Sequence, residues 1–99
     1  VEEGKLEAYA MITAMGPTYM WFQWQELCSL AESFGMSPAE AATGVGAMVA
    51  GSASALFASG MPAEEVMDLI PVRPLGDEEH IIRAMYVSKL RPLYEKLKG

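Results

Sequence analysis

The stretch "SPAEAATGVGAMVAGSASALFASG", residues 37–60, decides the fold because both of its ends carry helix signals. At its start, Ser37 can accept hydrogen bonds from first-turn amides, and Pro38 suits the first helical position. Glu40 can reach back to complete a capping box. At its end, Gly60 suits the left-handed position that closes a helix. These signals predict a helix over 38–58.

Similar signals divide the rest of the chain. Gly16-Pro17 can start a helix that Gly35 closes. Asp77 opens a last helix. Within it, Pro92 predicts a kink or a separate last turn. The apolar face of this last helix is predicted to hold Ile82, Tyr86, Leu90, Leu93 and Leu97. No stretch has the pattern of a strand. The sequence predicts an all-α fold of about five helices, at residues 4–14, 17–34, 38–58, 62–69 and from 77 onward.

Composition and charge narrow the class of protein. A chain of 99 residues, 52% hydrophobic and 20% charged, fits one globular domain. Residues 1–72 hold nine acidic residues and one basic residue, so we expect no nucleic-acid partner. Cys28 is the single cysteine, and with His80 alone it cannot form a zinc-type site, so we expect a reduced, cytoplasmic protein without metal. The start at Val1, without a signal peptide, indicates a piece of a longer protein.

The helix over 38–58 is unusually poor in charge. Residues 41–63 carry none, and this length could cross a bilayer. The repeated glycine, serine and threonine residues, with Leu56 as the only leucine, argue against a span, and we expect no membrane partner. Small residues recur there at helical spacing, at Gly44, Ala47, Gly51, Ala55 and Ala58. Because each helical glycine costs about 1 kcal/mol against alanine, we expect a neighbouring helix to pack closely on this ridge.

The preceding helix is apolar on more than one side. One face holds Trp24, Leu27, Cys28, Ala31 and Phe34, and the other sides hold Tyr19, Trp21 and Phe22. A 99-residue monomer can hardly cover both, and exposed apolar patches mark association surfaces. We expect a homodimer, or docking on a domain that the chain lacks. The alternative is that these aromatic residues fill an ordinary monomeric core.

Side chains able to do chemistry are few, and no catalytic residue can be assigned. The glycine-containing stretch "GVGAMVAG", residues 44–51, follows no strand and is not a dinucleotide fingerprint. Arg73, between two prolines, could hold a substrate carboxylate or a cofactor phosphate; the alternative is an interdomain salt bridge. His80 could act as a general acid or be a solvated neighbour of the helix start. Cys28 is expected to fill the core, as are Met11, Met15, Met20 and Met48.

The segment "ITAMGPTYMWFQWQELCSLAESFGMSPAEAA", residues 12–42, resembles the carboxy-terminal dimerisation domain of the pyrroline-5-carboxylate reductase family. The matching positions in order are Gly16, Pro17 and Tyr19 in the first motif, Glu26 and Leu27 in the helix, Gly35 and Met36 in the turn, and Glu40 and Ala41 in the next helix. The stretch "ASGMPAEEVMD", residues 58–68, is similar to the family's Ser-Gly-x-x-Pro-x-x-Leu-x-Asp segment.

The resemblance implies a helical domain, like the carboxy-terminal domain of 6-phosphogluconate dehydrogenase, that interlocks with its twin. A Rossmann domain, which this chain lacks, would precede it. In that family NADPH or NADH reduces a cyclic imine to proline, and the substrate lies between the two domains. This chain itself would hold no cofactor. The resemblance assigns Gly16, Pro17 and Tyr19 to the family motif. Together with the apolar face and the small-residue spacing described above, we expect the motif and dimer core to comprise Gly16, Pro17, Tyr19, Trp24, Gly44, Ala47, Gly51 and Ala55.

The chain also departs from the family pattern. A Ser-Pro-Gly-Gly-Thr-Thr stretch that contacts substrate should follow Asp68, but the chain has "LIPVRPLGDEE", residues 69–79. Thr13-Ala14-Met15 replaces Ser-Gly-Ser. The family's substrate contacts therefore do not carry over, and Arg73, with His80, is a hypothetical replacement. Two interpretations stay open: the substrate-side domain of an NAD(P)-dependent oxidoreductase, with the same or another substrate, and a stand-alone helical interaction module without catalysis.

Overall fold

The computed structural model describes residues 4–99, and this part of the chain is all-helical, without a strand. The all-α prediction is confirmed. Three helices are long, and two five-residue helices and short π and 3-10 turns complete the fold. Each of the two short helices is little more than one turn. The α-helices are α1 (Lys5–Tyr9), α2 (Gly16–Ser33), α3 (Pro38–Ala58), α4 (Ala63–Met67) and α5 (Glu79–Lys98).

The chain divides into two compact units. The terminal unit comprises, among the described residues, 4–20 and 73–99. The central unit comprises Trp21–Val72. Helix α2 contributes its first turn to the terminal unit and the remainder to the central unit.

In the terminal unit, α1 packs against α5. A π-helical segment, Ala10–Ala14, continues α1, and the Met15 amide donates to the Ala10 carbonyl at 3.0 Å. Met11 is buried within this segment, and its carbonyl accepts a 2.6 Å hydrogen bond from the Tyr19 hydroxyl. The Tyr19 ring meets the Tyr86 ring edge to face, with 6.1 Å between centroids. These contacts hold the start of α2 in the unit.

In the central unit, the predicted capping box starts α3. The Glu40 amide donates to Ser37 Oγ at 3.1 Å, and the Ser37 amide donates to Glu40 Oε1 at 2.8 Å. The turn before it is closed by Gly35 at φ 106°, a left-handed conformation that favours glycine. Ala41 is fully buried, and the Cys28 thiol lies 3.9 Å from its carbonyl oxygen. The contact between α2 and α3 is therefore centred on small side chains.

The helix boundaries follow the predictions at α2 and α3 and differ at the shorter elements. Helix α4 is shorter than predicted, because Pro62 is extended and Pro71 disfavours helical backbone in the residue before it. Asp77 lies in a 3-10 turn, Gly76–Glu78, that leads into α5. Helix α5 continues through Pro92, so no last turn is split off. Leu90 and Tyr94, on either side of this proline, both line the groove with α1.

Candidate functional site

The most informative feature of the molecule is how little apolar surface it buries. Among the described residues, only Met11 and Ala41 form a buried hydrophobic core. Most of the large apolar side chains of both units are exposed. Exposed apolar patches of this kind are typical of a subunit seen without its partner.

The central unit carries much of this apolar surface. The "exposed central side chains" are Trp21, Phe22, Leu30, Phe34, Met48 and Phe57. Phe34 and Phe57 are 80% and 82% exposed, and Trp21 and Phe22 are 63% and 68% exposed. The alternative in which these aromatic residues fill a monomeric core is therefore wrong for Trp21 and Phe22. Eight of the 18 residues of their helix, Trp24 and Cys28 among them, are half-buried, and none is fully buried.

The small-residue ridge on α3 is largely open. Gly44 has a neighbour, because a side chain there would meet the Met36 methyl group at 3.6 Å. Gly51 faces open space, Ala47 is exposed, and Ala55 is half-buried. The residues predicted for the dimer core thus lie on an accessible helix face. Nothing in the central unit covers the ridge along its length.

Helix α3 is also long and apolar enough to cross a membrane. It is the one helix in the described residues that meets this test of length and composition. The test is weak for a single helix, since a helix that packs against protein has the same composition. The glycine, serine and threonine residues along α3 make the transfer into lipid unfavourable compared with a leucine-rich span.

Charge separates the two units clearly. The central unit contains six acidic residues and no lysine or arginine: Glu26, Glu32, Glu40, Glu64, Glu65 and Asp68. Residues 1–20 and 73–99 contain seven acidic and seven basic residues. The whole excess of negative charge, −6, therefore belongs to the central unit. Every lysine, arginine, aspartate or glutamate position in the unit of the exposed central side chains is therefore a carboxylate.

Hydrogen bonds with Ser37 lower the pKa of Glu40 from its ordinary value of 4.5. The backbone amide of Ser37 makes the larger contribution, its side chain the smaller one, and the slight desolvation of the carboxyl opposes both. Glu40 therefore stays ionised under mildly acidic conditions. Its role is to start α3.

The terminal unit has an open apolar groove of about 360 Å³ where α1 and the π-helical segment meet α5. Met11 and Ile12 line one side, and Tyr86, Leu90 and Tyr94 line the other. The predicted apolar face of α5 is only partly covered: Leu90 and Leu93 are half-buried, while Ile82 and Leu97 remain exposed. The groove uses one side of α5 and leaves the other side open.

The two candidate substrate-binding residues lie in the terminal unit. Arg73 Nη2 lies 2.7 Å from both carboxylate oxygens of Glu79, so its guanidinium is engaged in an ion pair at the start of α5. His80 follows Glu79 in the first turn of α5 and is exposed. The structure thus brings Arg73 to the helix start that carries His80. The motif residues Gly16, Pro17 and Tyr19 belong to the same unit, and Trp24 belongs to the central unit.

The sequence predictions missed several exposed residues. The helix signals and the periodicity do not identify Phe57, near the end of α3, or Ile81 and Met85, each about half exposed on α5. The uncharged run over residues 41–63 was the available signal for Phe57. The periodicity of apolar residues along α5 predicts the side that faces α1, but it does not predict the exposed residues on the opposite side.

No metal-binding group of three or more histidine, cysteine, aspartate or glutamate residues occurs in the described part of the chain. Comparisons with protein-family models, with curated proteins and with solved structures find no match to this chain. Three structural features define the site: an exposed apolar surface, negative charge without positive charge in the central unit, and an ion pair between Arg73 and Glu79.

Proposed function

We propose that this chain is the dimerisation and substrate-side domain of an NAD(P)-dependent oxidoreductase similar to pyrroline-5-carboxylate reductase. The observation that supports it most strongly is the near absence of a buried core beside a large exposed apolar surface. Such a chain needs a partner surface for stability, because hydrophobic burial is the dominant favourable contribution to folding. A domain that interlocks with a second copy meets this need.

The order of the helix starts supports the proposal. Gly16-Pro17 lies at the beginning of α2, and Gly35 ends the turn before α3. Gly60, at φ 81°, follows α3 and precedes the short acidic helix α4. These are the positions at which the chain resembles the dimerisation domain of that family.

The partner we propose is a second copy of the chain. The large apolar side chains exposed in the central unit are of the kind that the interfaces of obligate homodimers bury. The remaining expected partner is a nucleotide-binding domain of the same polypeptide. We expect the protein to work in the cytoplasm, with neither a membrane nor a nucleic acid as its partner.

The cofactor, NADP or NAD, would be held outside these residues. A dinucleotide site needs a glycine-rich turn between a strand and the start of a helix, so that free amides can bind the pyrophosphate. The stretch 44–51 lies inside α3, where its amides belong to the helix, and it does not fit this group. The chain's contribution to the reaction would instead be to assemble the dimer and to complete the substrate side.

Arg73 is the residue we assign to the substrate, with His80 beside it. A guanidinium is suited to a carboxylate partner, and Nη2 of Arg73 already donates to both carboxylate oxygens of Glu79. A substrate carboxylate would take the place of the Glu79 carboxylate. The substrate class is then a small cyclic imine that carries a carboxylate, reduced towards proline or a related amino acid.

A second candidate function is a stand-alone helical module that associates without catalysis. The replacement of the family's Thr-containing substrate stretch by residues 69–79 favours it. Both candidates share the homodimer, and they differ in whether a nucleotide-binding domain precedes the chain.

The experiment that tests the proposal begins upstream of the Val1 codon. We expect an in-frame strand, a Gly-x-Gly-x-x-Gly turn and a helix there, and oxidation of NADPH or NADH by the full-length protein with a cyclic imine carboxylate. A start codon directly before Val1 would contradict the reductase and leave the stand-alone module. The control is the chain without its nucleotide-binding domain, and this control should show no turnover.

A further inference from the structure

We propose that in the dimer the outward side of α5 from one copy covers the apolar surface of the central unit of the other copy. This inference rests on the proposed homodimer and specifies which surfaces meet. The contact would occur twice in the dimer, once in each direction, as two-fold symmetry requires.

Charge is the first step of the argument. A central unit that met another central unit would place six carboxylates opposite six more, with no lysine or arginine on either side. Like charges facing each other across an interface are costly, whereas complementary charge fixes which surfaces pair. The central unit therefore needs a partner that brings both apolar and basic side chains. The basic residues of the chain are confined to Lys5 and residues 73–99.

Helix α5 provides such a surface on the side that faces away from α1. At 100° per residue, one side of the helix holds Ile81, Met85, Lys89 and Lys96, and the groove with α1 is on the opposite side. Ile81 and Met85 are 50% and 56% exposed. We call these four residues the outward side of α5.

The two lysines are available for an intermolecular contact. Neither Lys89 nor Lys96 forms an ion pair within the part of the chain that the structure describes, while Lys98 is paired with Glu95 at 3.6 Å. On the central unit, Glu26 is exposed on the side of α2 that carries Phe22 and Leu30, and Glu32 is exposed on another side of the same helix. Each surface thus combines exposed apolar groups with charges of one sign, and the signs are opposite.

Two charge-reversed proteins test the pairing. The first is Glu26→Lys with Glu32→Lys, which replaces both carboxylates of α2 by lysines. The second is Lys89→Glu with Lys96→Glu, which makes the outward side of α5 acidic. Sedimentation velocity gives the dimer Kd of each protein alone and of their equimolar mixture. We expect each alone to dimerise at least about tenfold more weakly than the unmodified chain, and the mixture to form a heterodimer within about threefold of its Kd.

The heterodimer is the decisive result, because in it both contacts pair opposite charges again. If the Kd of the mixture does not recover, the two surfaces do not pair between copies and the inference is overturned. A contact within one chain could not be restored by mixing, so recovery identifies a contact between copies. Normal dimerisation of the second protein would also overturn it, because α5 would then have no part in the interface. The inference further predicts that the unmodified dimer weakens as salt is raised.

Controls separate this inference from the proposed function. Lys5→Glu with Arg83→Glu makes the same change in net charge within the terminal unit and away from the outward side of α5, so its dimer Kd should stay within about threefold of the unmodified value. If a reversed protein fails to fold, two neutral proteins repeat the test with smaller effects. They are Glu26→Gln with Glu32→Gln, and Lys89→Gln with Lys96→Gln. An unmodified chain that never dimerises would contradict the proposed function itself. If the unmodified chain dimerises and no charge change alters the dimer Kd, this inference alone is overturned.

Discussion

Truncation of Phe57 to alanine separates an exposed residue of a monomer from an interface residue of a dimer. Phe57 lies near the end of α3 with 82% of its surface exposed. Burial of a phenylalanine side chain contributes about 1.5–3 kcal/mol, and a symmetric dimer contains the residue twice. The expected loss for Phe57→Ala is therefore about 3 kcal/mol per dimer, which raises the dimer Kd at least about a hundredfold.

The assay is sedimentation velocity over a concentration series, with circular dichroism to confirm that the helices form. Alanine is the best helix former, so α3 itself should not be weakened by the change. The matched control is Ser54→Ala, an exposed position on the same helix, and its dimer Kd should change little. A Phe57→Ala protein with a Kd within about threefold of the unmodified chain would refute the reasoning, because Phe57 would then remain exposed in the dimer.

Further changes test the local structure and the candidate site. Ser37→Ala should lower the free energy of unfolding by about 1 kcal/mol in urea, and Ser37→Asp should retain it. Because the pKa of Glu40 is lowered in the folded chain, its stabilising effect is complete above the unfolded pKa and is lost as pH falls through the folded pKa; Glu40→Gln should make stability less dependent on pH there. Tyr19→Phe removes the 2.6 Å bond to the Met11 carbonyl, which should cost about 1 kcal/mol and speed amide exchange in the π-helical segment. Arg73→Ala should raise KM for the imine in the full-length enzyme, and an unchanged KM would remove its assigned role.

Local chemistry made the long helices of the central unit predictable. Ser37, Pro38 and Glu40 act within one turn, so the start of α3 follows from the sequence without reference to the rest of the molecule. The positive φ of Gly35 and Gly60 follows in the same way. The π-helical segment could not be predicted, because its contacts come from residues distant in sequence: the Tyr19 hydroxyl donates to the Met11 carbonyl, and Met11 and Ile12 line a groove with α5.

The candidate site was less predictable for a different reason. The sequence shows which side chains are apolar, but exposure depends on which surfaces the rest of the chain covers. Trp21 and Phe22 are large apolar residues of the kind that fill a core, yet they are exposed, while the small Ala41 is fully buried. The ion pair between Arg73 and Glu79 joins residues on either side of a turn, and it needed the structure to become visible.

The most direct test of the account is the mass of the chain in solution, measured by sedimentation equilibrium without detergent. The account predicts a species of twice 10.7 kDa that dissociates only on dilution. A single species of 10.7 kDa at every concentration, with intact helices, would contradict it, as would transfer of the chain into lipid vesicles in place of dimerisation.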